Sequence, residues 1–131
     1  MIQEHADAML ALARATLTVH DGPAPDGATP PYVVVYFADT DPELAESRPL
    51  TGASERHVVR ATAHCVGGNQ KAARIVADKL RTAWLDQVPT IAGRQCWPIR
   101  REEGIPADPD ETTGSLIVDQ VEVYRLESVP A

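Results

Sequence analysis

Arg56–Leu85, RHVVRATAHCVGGNQKAARIVADKLRTAWL, holds a strand, a tight turn and a helix within one short stretch, and the rest of the chain is arranged around it. From Arg56 to Val66 the side chains alternate with period two. Arg56, Val58, Arg60, Thr62, His64 and Val66 share one face; His57, Val59, Ala61, Ala63 and Cys65 share the other. The second set is smaller and more apolar, which places it under a helix. Gly67-Gly68 then breaks the strand with residues that reach the positive φ a sharp reversal often needs, and Asn69 is suited to cap the first free N–H groups of a helix. Ala72, Ile75, Val76, Leu80, Ala83 and Trp84 form the apolar stripe of that helix, with Gln70, Arg74, Asp78 and Arg81 opposite. The unit is a strand laid under its own helix.

Working outward, 131 residues make one domain, 1–131, large enough to bury a real core. The hydrophobic fraction of 44% fits a folded globular chain, while 5% aromatics and eleven prolines point to a modest core with stiff connections. A formal charge of −7 excludes a surface that grips nucleic-acid phosphates by counterion release. No apolar run reaches the length of a membrane span, and the start of the chain lacks the basic-then-apolar layout of a signal peptide; both point to a cytoplasmic protein without a membrane role. Cys65 and Cys96 lack metal-ligand spacing and are expected as free thiols.

Ile2, Ala6, Met9, Leu10, Ala13 and Leu17 recur at helical intervals, which predicts a core helix over Gln3–Thr16. Residues 20–31, HDGPAPDGATPP, read as a loop. Tyr32–Phe37, YVVVYF, has the continuous apolar character of a central strand covered on both faces, which hints at a partner subunit. Residues 38–55 form a long acidic loop with Asp39, Asp41, Glu43, Glu46 and Glu55. Arg94–Ile99 is a short strand candidate shortened by Pro98, and residues 100–114 form a second long acidic loop with Glu102, Glu103, Asp108, Asp110 and Glu111. The two loops hold ten of the nineteen acids. Ser115–Leu126 is a last strand whose apolar phase shifts from Leu116 and Val118 to Val121 and Val123, as a bulge near Asp119 would produce, and Glu127–Ala131 is expected to fray. The fold class is α+β, in the order α-β-β-α-β-β: a mostly antiparallel four-stranded sheet with both helices on one face.

Catalytic chemistry finds little purchase. His57 and His64 point to opposite faces of one strand and cannot share a metal, and His64 and Cys65 are split in the same way. Cys65 reads as a small core residue. Gly67-Gly68-Asn69-Gln70-Lys71 opens a helix and invites a phosphate, yet it fits neither GxxxxGK[ST] nor GxGxxG and reads as a plain strand-to-helix turn in preference to a phosphate cradle. The stretch from Asp108 to Asp119 departs from a calcium loop at its glycine, at Pro109 and at its last position. No GxSxG, HExxH or CxxC occurs, so neither cofactor nor metal is expected.

Arg60-x-Thr62-x-His64-Cys65-Val66-Gly67-Gly68-Asn69, Ala72-Ala73-x-x-Val76-Ala77-Asp78-Lys79-Leu80-Arg81, Pro89-x-x-x-Gly93-Arg94 and Asp119-x-x-x-x-Tyr124 together resemble the tail terminator proteins of long-tailed, siphovirus-type bacteriophages, especially actinobacteriophages and their prophages. The resemblance covers about Arg56–Pro130 and rests on layout before that. It implies a virion protein of the tail and neck, assembled in the host cytoplasm, that forms a homo-oligomeric ring, typically a hexamer. Such a ring stops growth of the tail tube protein and docks the head-tail connector protein, while DNA passes through its lumen without specific binding. Asp39, Asp41, Glu43, Glu46, Glu102, Glu103, Asp108, Asp110 and Glu111 are then candidates for the lumen or inter-ring surface, or for a solubilising rim. Arg56, Arg60 and Arg94 are candidates to pair with acids of the next subunit across the exposed sheet face, or with acids of their own chain. The rival classes are another neck component, a head-tail connector or tail-completion protein, and a small ligand-binding domain or enzyme using Gly67-Gly68 or His64.

Overall fold

A computed structural model describes residues 2–40, 56–110 and 117–131, with the backbone alone for Thr40 and residues 106–110. The elements are α1 (Ile2–Arg14), β1 (Val19–Asp21), β2 (Tyr32–Thr40), β3 (His57–Gly67), α2 (Gln70–Trp84), β4 (Arg94–Cys96), β5 (Arg100–Asp110) and β6 (Ile117–Pro130). Among the described residues they form one six-stranded mixed sheet, ordered β1-β2-β3-β6, with β6 flanked on its far side by both β4 and β5.

The central unit is as its alternation predicts. Val59, Ala61, Ala63 and Cys65 are fully buried on the helix side of β3, in one cluster with Met9 and Leu10 of α1 and Val76, Leu80 and Trp84 of α2. Both helices therefore lie on one face. The Trp84 indole Nε1–H donates to the Met9 carbonyl at 2.8 Å, tying α2 to α1, and its ring meets Tyr124 edge-on at 5.2 Å. Asn69 caps α2, its side chain accepting from Ala72 N–H at 2.8 Å. The Gly67-Gly68 turn, however, uses no positive φ. A Cβ on Gly67 would lie 2.5 Å from Ala73 N and 2.7 Å from the Ala72 carbonyl carbon, so glycine is needed there because α2 starts directly against the strand.

The expected four-stranded sheet is corrected by two further pairings. Val19–Asp21, within and just before the expected loop at 20–31, runs parallel to Val33–Val35 as β1. Its three residues are too few for a period to show. Arg100–Asp110, expected as loop, is the long antiparallel edge strand β5, paired along β6 from Arg100↔Arg125 to Asp110↔Ile117. Register shifts between Arg101/Glu103 and Ile105/Asp108 absorb its irregular sequence, and Pro106 and Pro109 are tolerated because no described strand lies beyond this edge. Ala38–Thr40, expected as the start of the loop at 38–55, still pair with β3, and residues 41–55 lie outside the described residues.

The bulge expected on β6 is also absent from its pairing with β3, which is unbroken from His57↔Ser128 to Gly67↔Val118. The apolar phase shift instead records a change of face. Val118 lies on the helix side, whereas Val121 and Val123 pair with His64 and Thr62 on the other side. Nor is the C-terminal segment frayed. Ser128 is fully buried, Val129 and Pro130 pair with β4, and Ala131 N–H donates to Gly93 O at 3.1 Å. Ile75, expected on the apolar stripe of α2, is 47% exposed; Ala73 and Ala77 take the buried positions.

Candidate functional site

Because both helices cover one face of the sheet, no described element covers the other. Cross-strand register orders this uncovered face into rows. Val34, His64, Val121 and Ile105 make one row across β2, β3, β6 and β5, and Tyr36, Thr62, Val123 and Glu103 make the next. Tyr36 is 46% and Ile105 47% exposed, which leaves an apolar belt with solvent-facing ends. His64 Nδ1 lies 2.8 Å from Asp119 Oδ2, and the Tyr36 ring stands edge-on to the imidazole at 5.9 Å. Asp119 Oδ1 takes no hydrogen bond among the described residues.

Beyond the belt runs a ladder of charges. Arg60 holds Glu102 through Nε at 2.7 Å and Nη2 at 3.3 Å, Arg125 Nη1 reaches the same carboxylate at 3.3 Å, Arg125 Nε lies 3.5 Å from Glu127, and Arg56 Nη2 closes on Glu127 at 2.8 Å. The Arg56 guanidinium also sits over the Trp97 ring, 5.7 Å from its centroid. Solvent-facing pairs of this kind each contribute only about 0.2–1 kcal/mol, and with Arg56, Arg60 and Arg125 against Glu102 and Glu127 the ladder leaves this end of the face with an excess of positive charge.

Of the candidate interface arginines, Arg56 and Arg60 thus meet in one network on the uncovered face, with partners in their own chain. Arg94 is not among them. It donates to Ser128 Oγ at 3.1 Å and to the Ser128 carbonyl at 2.9 Å on the helix side, where His5 Nε2 lies 2.7 Å from the same hydroxyl. Of the candidate acids, Glu102 belongs to the ladder, Glu103 is exposed beside the belt, and Asp39 sits at the end of β2 opposite Val59. The backbones of Asp108 and Asp110 lie in β5 opposite Asp119 and Ile117. Asp41, Glu43, Glu46 and Glu111 lie outside the described residues. Ile105 was missed as a surface residue, although it is the lone large apolar side chain in RREEGIPADPD.

The candidate catalytic groups stay apart. His57 and His64 lie on opposite faces, Cys65 is fully buried with its thiol pushed up by burial and by the nearby Glu122 and Asp119 charges, and the described residues hold no cluster of three metal-ligating side chains. One carboxylate is buried against a partly exposed cation: Arg101 Nη2 donates to Glu122 Oε2 at 2.7 Å, with Glu122 only 2% exposed and the Arg101 side chain 34% exposed. The pair passes over Gly104, where a Cβ would lie 1.9 Å from Arg101 Nη2 and 2.6 Å from Glu122 Oε2, so the glycine makes room for it. No described helix is long and apolar enough to cross a membrane.

No family model matches the chain, and no curated protein matches it. Among solved structures, a chain from the virion of a native gene transfer agent particle superposes with a TM-score of 0.60 at 18% identity, over 97% of this chain and 90% of that one. The likeness is one of fold. A second solved chain agrees at a TM-score of 0.57 and 18% identity, over 96% of this chain and 91% of its own.

Proposed function

We propose that this chain is a structural, non-enzymatic virion protein of phage type, and within that class a tail terminator: a ring subunit that caps the tail tube, ends its polymerisation and offers the docking surface for the head-tail connector. The observation that carries this reading is the sheet with helices on one face and an apolar belt on the other whose end residues, Tyr36 and Ile105, are exposed, in a fold shared along nearly its whole length with a chain of a gene transfer agent virion. An uncovered belt of this kind is what a subunit presents when a neighbour completes its core. A heterologous contact closes into a ring when its rotation divides the circle, and a ring stacked on a tube leaves a different upper face, so no further tube subunit finds its match. The net charge of −7 suits a lumen through which DNA slides without sticking.

The test is to mix the purified protein with tail tubes and view them by negative-stain electron microscopy, with light scattering on the free protein. Rings on tube ends, and tubes that no longer elongate when tube subunits are added, are the expected result. Tubes that elongate normally in its presence would exclude the terminator role. Binding to portal assemblies instead of tube ends would assign the chain to another position in the neck.

A further inference from the structure

The sheet ends in two open edges. On one side β1 covers only part of β2: Val33 N–H donates to the Thr18 carbonyl and the Val35 carbonyl accepts from Gly22 N–H, each at 2.9 Å, and no described strand lies beside Tyr36–Thr40. Backbone direction alternates along a strand, so Phe37 and Asp39 turn N–H and C=O towards this edge, as Val33 and Val35 do. Exposure marks the same limit, because Val33–Val35 are buried whereas Tyr36, Ala38 and Asp39 are exposed. On the other side β5 pairs with β6 alone, and Arg100–Ile105 are exposed throughout. Pro106, with no N–H to give, ends the usable part of that edge. The large apolar side chains that the uncovered face leaves in solvent stand at these two edges, Tyr36 on β2 and Ile105 on β5, while Val34 and Val123 on the same face are buried.

We infer that Arg100–Ile105 of one copy of this chain pairs with Tyr36–Thr40 of the next, so that the sheet continues from subunit to subunit. An open strand edge is a template for another strand, and here a single chain carries two of them. Their directions match. β2, β3, β6 and β5 alternate in direction, so β5 runs against β2; between subunits related by rotation about an axis along the strands, β5 meets the next β2 antiparallel, with every subunit's helices on the same side of the wall. Their lengths match as well, with five residues of β2 open beyond β1 and six of β5 ahead of Pro106. Setting Ile105 opposite Tyr36 brings Pro106 beside Val35, where β1 takes over the edge. Since Phe37 and Asp39 carry the outward hydrogen-bonding groups, Tyr36–Ile105 is then a non-hydrogen-bonded pair, the kind in which side chains approach closest, and the two exposed apolar residues cover each other. The two edges are different, so the contact is head to tail, the kind that generates rings, and is not made across a two-fold axis. This inference rests on the ring reading above.

The experiment forms a disulfide across the contact, in a Cys96→Ser background that leaves only the buried Cys65. Within one chain β2 and β5 are three strand spacings apart, about 14 Å, too far for a disulfide, so any bridge joins two copies. The assembled double variant Tyr36→Cys, Ile105→Cys is oxidised with copper phenanthroline and run on a non-reducing gel. A ladder of bands up to the ring size is expected, with a dimer and nothing larger from the two single variants mixed, and monomer from each single variant alone. Asp39→Pro removes an outward N–H without taking a hydrogen bond from the β2–β3 ladder, and is expected to raise the assembly concentration about tenfold in sedimentation velocity with the far-UV circular dichroism unchanged. Rings that stay unlinked, a single variant that links to itself, or an Asp39→Pro variant that assembles like the parent protein overturn this contact while leaving the ring reading standing. A parent protein that stays monomeric at every concentration and on tail tubes overturns both.

Discussion

Gly67 and Gly104 look interchangeable in a list of residues, and each is required for a different spatial reason. At Gly67 the obstacle is backbone: Ala73 N at 2.5 Å cannot swing aside, so Gly67→Ala has to push α2 off the sheet. A loss of about 1–3 kcal/mol in urea unfolding is expected, as for an overpacked core. At Gly104 the obstacle is the tip of Arg101, which can move but only by releasing Glu122. Arg101→Ala takes the partly exposed cation away from a buried carboxylate and should cost about 1–3 kcal/mol; adding Glu122→Gln should recover much of it, because the penalty comes from the unpaired charge. A double-mutant cycle by chemical denaturation measures this. Neither role was legible beforehand, since the turn reading assigned Gly67 a positive φ that it does not adopt, and the approach of Arg101 to Glu122 depends on strand pairing.

Among the elements, α2 and β3 were readable to within a residue or two because period, break and cap agree, and the cap is open to test: Asn69→Ala should cost about 1 kcal/mol. Strands β1 and β5 were not readable, the first for lack of length and the second because charges, glycine and proline mask its pattern. Both exist because a neighbour supplies a ladder: β2 for Val19–Asp21, β6 for Arg100–Asp110. The start of α1 is held in a corner of two histidines and an arginine. His5 lies against Ser128, its ring 6.1 Å from that of His57, with Arg94 on the same hydroxyl. Burial and the Arg94 charge lower the His57 pKa, with Asp39 opposing them. A histidine whose folded pKa is depressed binds its proton more readily in the unfolded chain. Stability should thus fall as pH drops below about 6.5, and His57→Gln should flatten that slope in melts between pH 5 and 7.

At the scale of the whole molecule, the sheet divides charge and cover unevenly. One face is sealed by two helices, and the other keeps Tyr36 and Ile105 in solvent beside a ladder of three arginines and two glutamates. The fold likeness to a gene transfer agent virion chain concerns the same whole-chain layout, over 97% of this chain.

By itself the sequence determined the α+β class, the strand–turn–helix unit, the placement of both helices over Val59, Ala61, Ala63 and Cys65, and the opposition of His57 and His64, because periods of 2 and 3.6 are local properties of the chain. Only the tertiary structure decided the number of strands, the edge role of Arg100–Asp110, the split of Arg94 from Arg56 and Arg60, and the exposure of Ile75 and Ile105. Those features depend on which distant segment lies alongside, and a strand of irregular composition acquires its identity from its partner's hydrogen bonds, not from its own pattern.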